Sequence, residues 1–163
     1  MTHVDDKRGP MSEVLIVDDE QPMRELLSRW LAPEGYALCE AADADRALAV
    51  MSERQVGVVL CDRAMPGRDG IWLVEQIREH HPSVAIILAT ADDSLPPRVS
   101  LRDGVIGYLV KPFKQPLVLD AVRDAMAWHR VAVTRPRREP SQDDPIDTWL
   151  RGRAGRPDVK PEP

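Results

Sequence analysis

The sequence predicts an α/β fold in which a doubly wound, five-stranded parallel sheet carries helices on both faces. Three observations point to it. Short β-branched runs such as VLIV (14–17) and VAIILAT (84–90) alternate with stretches of helical periodicity. The run VGVVLC (56–61) is apolar throughout, as a strand covered on both sides must be. Chemistry-bearing residues stand where the runs stop: Asp18, Asp19 and Glu20 after the first, Asp62 after the third, Thr90 at the end of the fourth and Lys111 after the fifth.

The elements follow in order. After the strand at 14–17, Met23, Leu26, Leu27, Trp30 and Leu31 fall at helical spacing, with Pro22 suited to a first turn and Gly35 to a stop. A less apolar second strand covers 36–40. Ala44, Ala47, Leu48 and Met51 form one face of the next helix, and the third strand, 56–61, reads as central. Gly70 opens a helix whose buried stripe is Leu73, Val74 and Ile77 and whose exit is marked by Pro82; His80 and His81 sit near its end, where they favour the helix dipole. The fourth strand spans 84–90. A short helix is expected over 95–102, since Pro96 and Pro97 are tolerable only in its first turn. The fifth strand covers 107–110. The last helix covers 116–130, with Leu117, Val118, Ala121, Val122, Ala125 and Met126 on its apolar side.

With 163 residues and a 43% apolar share, the chain has enough material for one domain, placed here at 11–130, and some excess. Residues 1–10 read as a flexible start without the pattern of a signal peptide, and no apolar run reaches about 18 residues, so a soluble, cytoplasmic protein is expected. Cys39 and Cys61 lie far apart without a metal-binding spacing and read as reduced core thiols. Residues 1–130 carry 15 basic and 21 acidic side chains, a net of −6, while 131–163 carry 7 and 6, a net of +1. An acidic body of this kind argues against direct nucleic-acid binding, and nothing suggests a membrane partner. From 131 onward the chain is rich in Pro and Arg and reads as a mostly disordered tail. Within it, Asp144 and Pro145 can start a short helix over 145–151, placing Ile146, Trp149 and Leu150 on one face as a possible docking motif.

In an open parallel sheet, the carboxyl ends of the strands gather along one edge, so the acids, the threonine and the lysine are expected to share a cleft. Clustered carboxylates repel one another unless a cation sits among them. Asp19 and Asp62 offer the few oxygen ligands that Mg²⁺ accepts while it keeps several waters. The sequence lacks a Gly-rich phosphate loop, a serine elbow and a histidine near the cluster, which leaves an aspartate as the candidate nucleophile, forming an acyl phosphate. Asp62 is the best placed for this, with Lys111 and the Thr90 hydroxyl to meet phosphoryl oxygens.

This constellation resembles the receiver domain of two-component response regulators, over about residues 11–130. The matching features are Asp18 and Asp19 after the first strand; Asp62 followed by Met65-Pro66-Gly67 and Asp69-Gly70; Thr90-Ala91; and Gly107-Tyr108-Leu109-Val110-Lys111-Pro112-Phe113. The resemblance implies a flavodoxin-like sheet of order 2-1-3-4-5. It implies phosphotransfer onto Asp62 from a sensor histidine kinase or a histidine phosphotransfer protein, with Asp18, Asp19 and Asp62 at a Mg²⁺ ion. Thr90 and Tyr108 would form the switch pair, and the bond before Pro112 would be cis. Output would pass to a downstream protein, chiefly through the fourth expected helix, the fifth strand and the last helix. Ala64 and Asp92 occupy positions that modulate dephosphorylation in the family. The Pro96-Pro97 pair implies a short or late fourth helix, which counts against the family's usual dimer across that surface.

The expected protein is thus a stand-alone phospho-accepting switch rather than a metabolic enzyme. A DNA-binding output is poorly supported by the Pro-rich stretch after the body. An aspartyl-phosphate hydrolase would need a second acid two residues beyond a nucleophile placed straight after the first strand, a spacing that Asp18-Asp19-Glu20 lacks. An unphosphorylated interaction module would not need complete acceptor, metal and lysine positions.

Overall fold

The computed structural model describes residues 11–91 and 104–135. Five strands, β1 (Glu13–Val17), β2 (Leu38–Ala41), β3 (Val56–Asp62), β4 (Ala85–Thr90) and β5 (Val105–Val110), form one sheet in the order β2-β1-β3-β4-β5. All neighbouring strands run parallel. The α-helices among the described residues are α1 (Gln21–Leu31), α2 (Ala44–Glu53), α3 (Gly70–His80) and α4 (Gln115–Ala132). The helices expected over 95–102 and 145–151 lie outside the described residues, as do Asp92, Ile146, Trp149 and Leu150.

The alternation of side chains along each strand divides the interior into two slabs. Leu15 and Val17 of β1, Val59 and Cys61 of β3, and Ile86 and Leu88 of β4 pack against Ala47 and Met51 of α2 and Leu73 and Ile77 of α3. Val14, Ile16, Val58, Leu60 and Ile87 face the other way, toward Leu27 and Leu31 of α1 and Val118, Val122 and Met126 of α4. Strand β3 is buried at all seven positions, which accounts for its lack of any polar alternation. The chain moves from β1 outward to β2 and then returns past β1 to β3. The strand order therefore reverses between β1 and β3, and a crevice opens there at the carboxyl ends.

Local chemistry fixes the helix ends. The side chains of Asp43 and Asp69 accept hydrogen bonds from Arg46 N at 2.7 Å and Trp72 N at 2.9 Å, capping α2 and α3. Helix α1 carries Pro22 in its first turn and closes through a 3-10 turn (Ala32–Glu34) onto Gly35 at φ 86°, a left-handed conformation that glycine adopts freely.

Several boundaries differ from the sequence expectation by one or two residues, and three of the differences have a tertiary reason. Strand β2 covers Leu38–Ala41 rather than 36–40, because it is an edge strand whose extent is set by β1 alone, with pairing from Val14–Leu38 to Val17–Ala41. Strand β5 begins two residues before Gly107, because the register shifts between Ile86 and Ile87 and takes up Ile106. Helix α4 runs two residues past Arg130, because His129 near its end is buried and doubly bonded.

The His129 Nδ1 atom lies 2.7 Å from the Ser83 carbonyl, and Nε2 lies 2.9 Å from Ser12 Oγ. A carbonyl can only accept, so Nδ1 carries a proton and donates to Ser83, while Nε2 shares the second hydrogen bond with the Ser12 hydroxyl. One side chain thus ties the end of α4 to the start of β1 and to the turn before β4. Replacing His129 with alanine strands both partners and is expected to cost about 2–3 kcal/mol, read as a lowered urea midpoint at unchanged slope.

Candidate functional site

Four of the strand-end residues singled out in the sequence meet at the β1–β3 crevice. Asp18 directly follows β1 and Asp62 closes β3; both are more than nine-tenths buried. One carboxylate oxygen each from Asp18, Asp19 and Asp62 can be chosen so that all three lie within 4.8 Å of one another. The ammonium of Lys111 reaches in from the loop after β5, with Nζ 3.2 Å from Asp18 Oδ2 and 3.4 Å from Asp62 Oδ2. Glu20, the third acid of the first cluster, stays exposed as the residue before α1 and does not join this group.

The remaining oxygens are aimed by the backbone. Asp18 Oδ1 accepts from Glu20 N at 2.9 Å, and Asp62 Oδ1 accepts from Ala64 N at 3.2 Å, which leaves each Oδ2 facing Lys111. Lys111 N donates to the Thr90 carbonyl at 2.7 Å, so the ends of β4 and β5 are joined beside the site. The Lys111–Pro112 peptide is cis. Two residues on, the Phe113 ring meets Trp30 of α1 edge-on, with centroids 6.5 Å apart, and pins the loop that carries the lysine. Thr90 is buried. It pairs with Val110, and Tyr108 lies two residues before Val110, half-buried on the same sheet face.

Charge and burial pull against each other here. Burial holds the Asp62 carboxyl above its ordinary range; Lys111 opposes this and Asp18 adds to it. Burial alone would lower the Lys111 ammonium, but Asp18 and Asp62 together outweigh it and hold it above its ordinary value. Three carboxylates therefore face one ammonium within the cluster. That excess of negative charge, presented on hard oxygen donors, fits a small divalent cation such as Mg²⁺. Neither thiol competes for this role, Cys61 beside Asp62 or Cys39 in β2. Burial pushes Cys39 up to about 12 and Cys61 higher still, so both stay protonated at neutral pH.

Two supports were not visible in the linear pattern. Arg24 Nη1 donates to the Asp18 carbonyl at 2.6 Å, bracing the turn between β1 and α1 from within the helix. An arginine so near a helix N-terminus opposes the dipole, and that misfit is the sequence signal that it serves something else. Gly70 does more than open α3. A Cβ at this position would lie 2.6 Å from the Asp62 carbonyl oxygen and 2.8 Å from Arg63 Cα, both backbone atoms. Gly70→Ala is expected to displace Asp62, lower stability by about 1–3 kcal/mol and slow any modification of that carboxylate. Comparing denaturation midpoints and modification rates with wild type checks both.

Residues 14–123 match the family described as the response regulator receiver domain. The chain belongs to that family. Relatives of this receiver include the response regulator protein FleR of Pseudomonas aeruginosa, 36% identical over 112 residues that cover 68% of this chain and 24% of FleR. The transcriptional regulatory protein ResD of Bacillus subtilis is 37% identical over 63% of this chain and 42% of its own length. The matched region thus spans less than half of either relative. Among solved structures, the signal receiver domain of an HD domain-containing protein from Pseudomonas fluorescens Pf-5 superposes with a TM-score of 0.69 at 31% identity, covering 75% of this chain and 99% of that one. A CheY-like receiver domain protein from Methanospirillum hungatei JF-1 gives 0.68 at 27% identity, covering 75% and 98%. The sheet order and the receiver architecture expected from the sequence are both found. No helix among the described residues is long and apolar enough to cross a membrane.

Proposed function

We propose that this receiver takes a phosphoryl group from the phosphohistidine of a sensor kinase or histidine phosphotransfer protein onto Asp62, and signals onward through a protein contact. One observation carries the reading: a buried carboxylate with an ammonium 3.4 Å from Oδ2 and two further carboxylates close beside it. In the transfer, an Asp62 oxygen attacks phosphorus, the phosphorus–nitrogen bond of the donor breaks, and the departing imidazole keeps the electron pair and takes up a proton. Asp62 is preset for this role, since its Oδ1 is held by the Ala64 amide while Oδ2 faces the cleft.

Asp18, Asp19 and Asp62 are the residues that would hold Mg²⁺, which when bound supplies positive charge to the oxygens of an incoming phosphoryl group. Lys111 supplies a second cation from the protein itself. Its ammonium trades carboxylate contacts for a phosphoryl oxygen as the acceptor loses its free charge. Thr90, buried at the end of β4, donates its hydroxyl to another phosphoryl oxygen, and Tyr108 on the same face turns inward as the threonine moves. Ala64, exposed two residues beyond Asp62, leaves room for water above the acceptor and bears on how long the phosphoryl group persists.

Output through a protein contact is supported by the acidic character of the body, which repels phosphate backbones. Incubation with acetyl phosphate and Mg²⁺ tests the acceptor chemistry directly. Intact mass should rise by one phosphoryl group, with the modification mapped to the peptide containing Asp62. A protein that stays unmodified with acetyl phosphate and with a phosphorylated histidine phosphotransfer protein sinks the proposal.

A further inference from the structure

At the amino ends of the strands, the edge opposite the carboxylate cluster, lies a cleft of about 420 Å³. Its apolar surface comes from Met51, Val56, Val84 and Val133, and its polar surface includes Arg54, His80 and His81. No acidic residue lines it among the described residues, although the body as a whole is acidic. Arg54 is paired with Glu13 at 2.8 Å yet keeps half of its side chain exposed. Val133 is 55% exposed, an unusual degree for an apolar residue beside an apolar cleft, and it stands two residues before the last described residue, Arg135.

The chain beyond this point carries the one apolar cluster of the tail. Ile146, Trp149 and Leu150 are spaced to share a helical face, and the stretch 143–152 has Asp143, Asp144 and Asp147 against Arg151 alone, a net of −2. Ile146 is 11 residues beyond Arg135, within reach of about 36 Å of extended chain, so the segment can return to the cleft from which α4 leads out. We propose that Ile146, Trp149 and Leu150 of the same chain dock in this cleft, with the aspartates beside Arg54, His80 and His81. Apolar faces match apolar faces, and the acidic strip meets a rim whose lining among the described residues includes no acid and whose Arg54, though paired with Glu13, stays half-exposed. Of the other exposed apolar residues of the last strand and helix, Val131 sits at the same end of α4 as Val133, whereas Val110 and Leu117 flank the Lys111 loop at the far edge of the sheet, where the acids would repel the segment.

The test uses the full chain labelled with 5-fluorotryptophan, the Trp149 resonance being assigned through Trp149→Phe. Docking predicts a Trp149 signal whose H₂O-to-D₂O isotope shift is less than half that of free tryptophan. Val133→Asp, a change at an exposed position, should restore the full shift while leaving the Trp30, Trp72 and Trp128 signals in place. Ile146→Asp, which alters only the tail, should do the same. Both effects should be independent of protein concentration. A full isotope shift in the wild type, or a reduced shift that neither substitution changes, overturns the proposal. So does protection that disappears on dilution, which assigns the cleft to a second copy of the chain.

Discussion

Asp62→Asn is expected to abolish the phosphoryl mass gain from acetyl phosphate and Mg²⁺, and at the same time to make the metal-free protein more stable. The two effects share one cause. Burial is the largest influence on Asp62 and raises its pKa in the folded state. A carboxyl raised in this way favours folding below its unfolded value of about 3.9, and that contribution is lost as pH climbs through the raised folded value. Near neutral pH the ionised group therefore costs stability, and asparagine, of the same shape but uncharged, removes the cost. Each kcal/mol regained corresponds to about 4 °C in melting temperature for a domain of this size. Thermal melts in EDTA should show the variant melting higher near neutral pH, with the gap closing toward about pH 4. A variant that melts lower at neutral pH would mean that the ion pair with Lys111, and not burial, is the dominant influence on Asp62.

Lys111→Met should produce the largest loss of stability at the site, and Mg²⁺ should largely repair it. Asp18 and Asp62 are buried and share one ammonium, at 3.2 and 3.4 Å. Taking away one partner of a buried ion pair costs about 3–5 kcal/mol, and the lower end applies because the lysine side chain keeps 18% exposure. A cation that binds only the folded form returns stability in proportion to the logarithm of its concentration, about 2.7 kcal/mol at a hundred times its dissociation constant. The wild-type ammonium competes for the same carboxylates, so wild type should gain less from Mg²⁺ than the variant does. Urea titrations with and without Mg²⁺ measure both gains. Equal gains in the two proteins would place the ion away from these carboxylates.

Much of the fold was legible because it rests on local patterns. The unbroken apolar run at β3 announced a strand buried on both faces, and the periodic stripe of α4 announced its packing side. Boundaries were legible only where local chemistry sets them, as with Gly70 at the start of α3 and Gly35 after α1. Where a neighbour decides, as β1 does for β2 and the register shift opposite Ile86 does for β5, the linear text carries no mark. The site divides in the same way. Asp18, Asp19, Asp62, Thr90 and Lys111 stand at strand ends and could be gathered by topology. Arg24 and the close approach at Gly70 could not, because they act on backbone atoms, and a carbonyl has no letter in the sequence. Glu20 follows Asp18 and Asp19 directly in sequence, but the turn into α1 leaves it exposed and outside the group.

The clamp at His129 bears on how the protein can be handled. By tying the end of the final helix to the start of the first strand, it brings the two exits of the folded body to one side, about 17 Å of strand away from Asp62. Fluorescent reporters or affinity tags inserted where the chain enters β1 or leaves α4 start from the side remote from the acceptor, so a bulky phosphodonor can still approach. Reporters placed beside Ser12 and just past α4 would also start close together, because the His129–Ser12 hydrogen bond joins these two points.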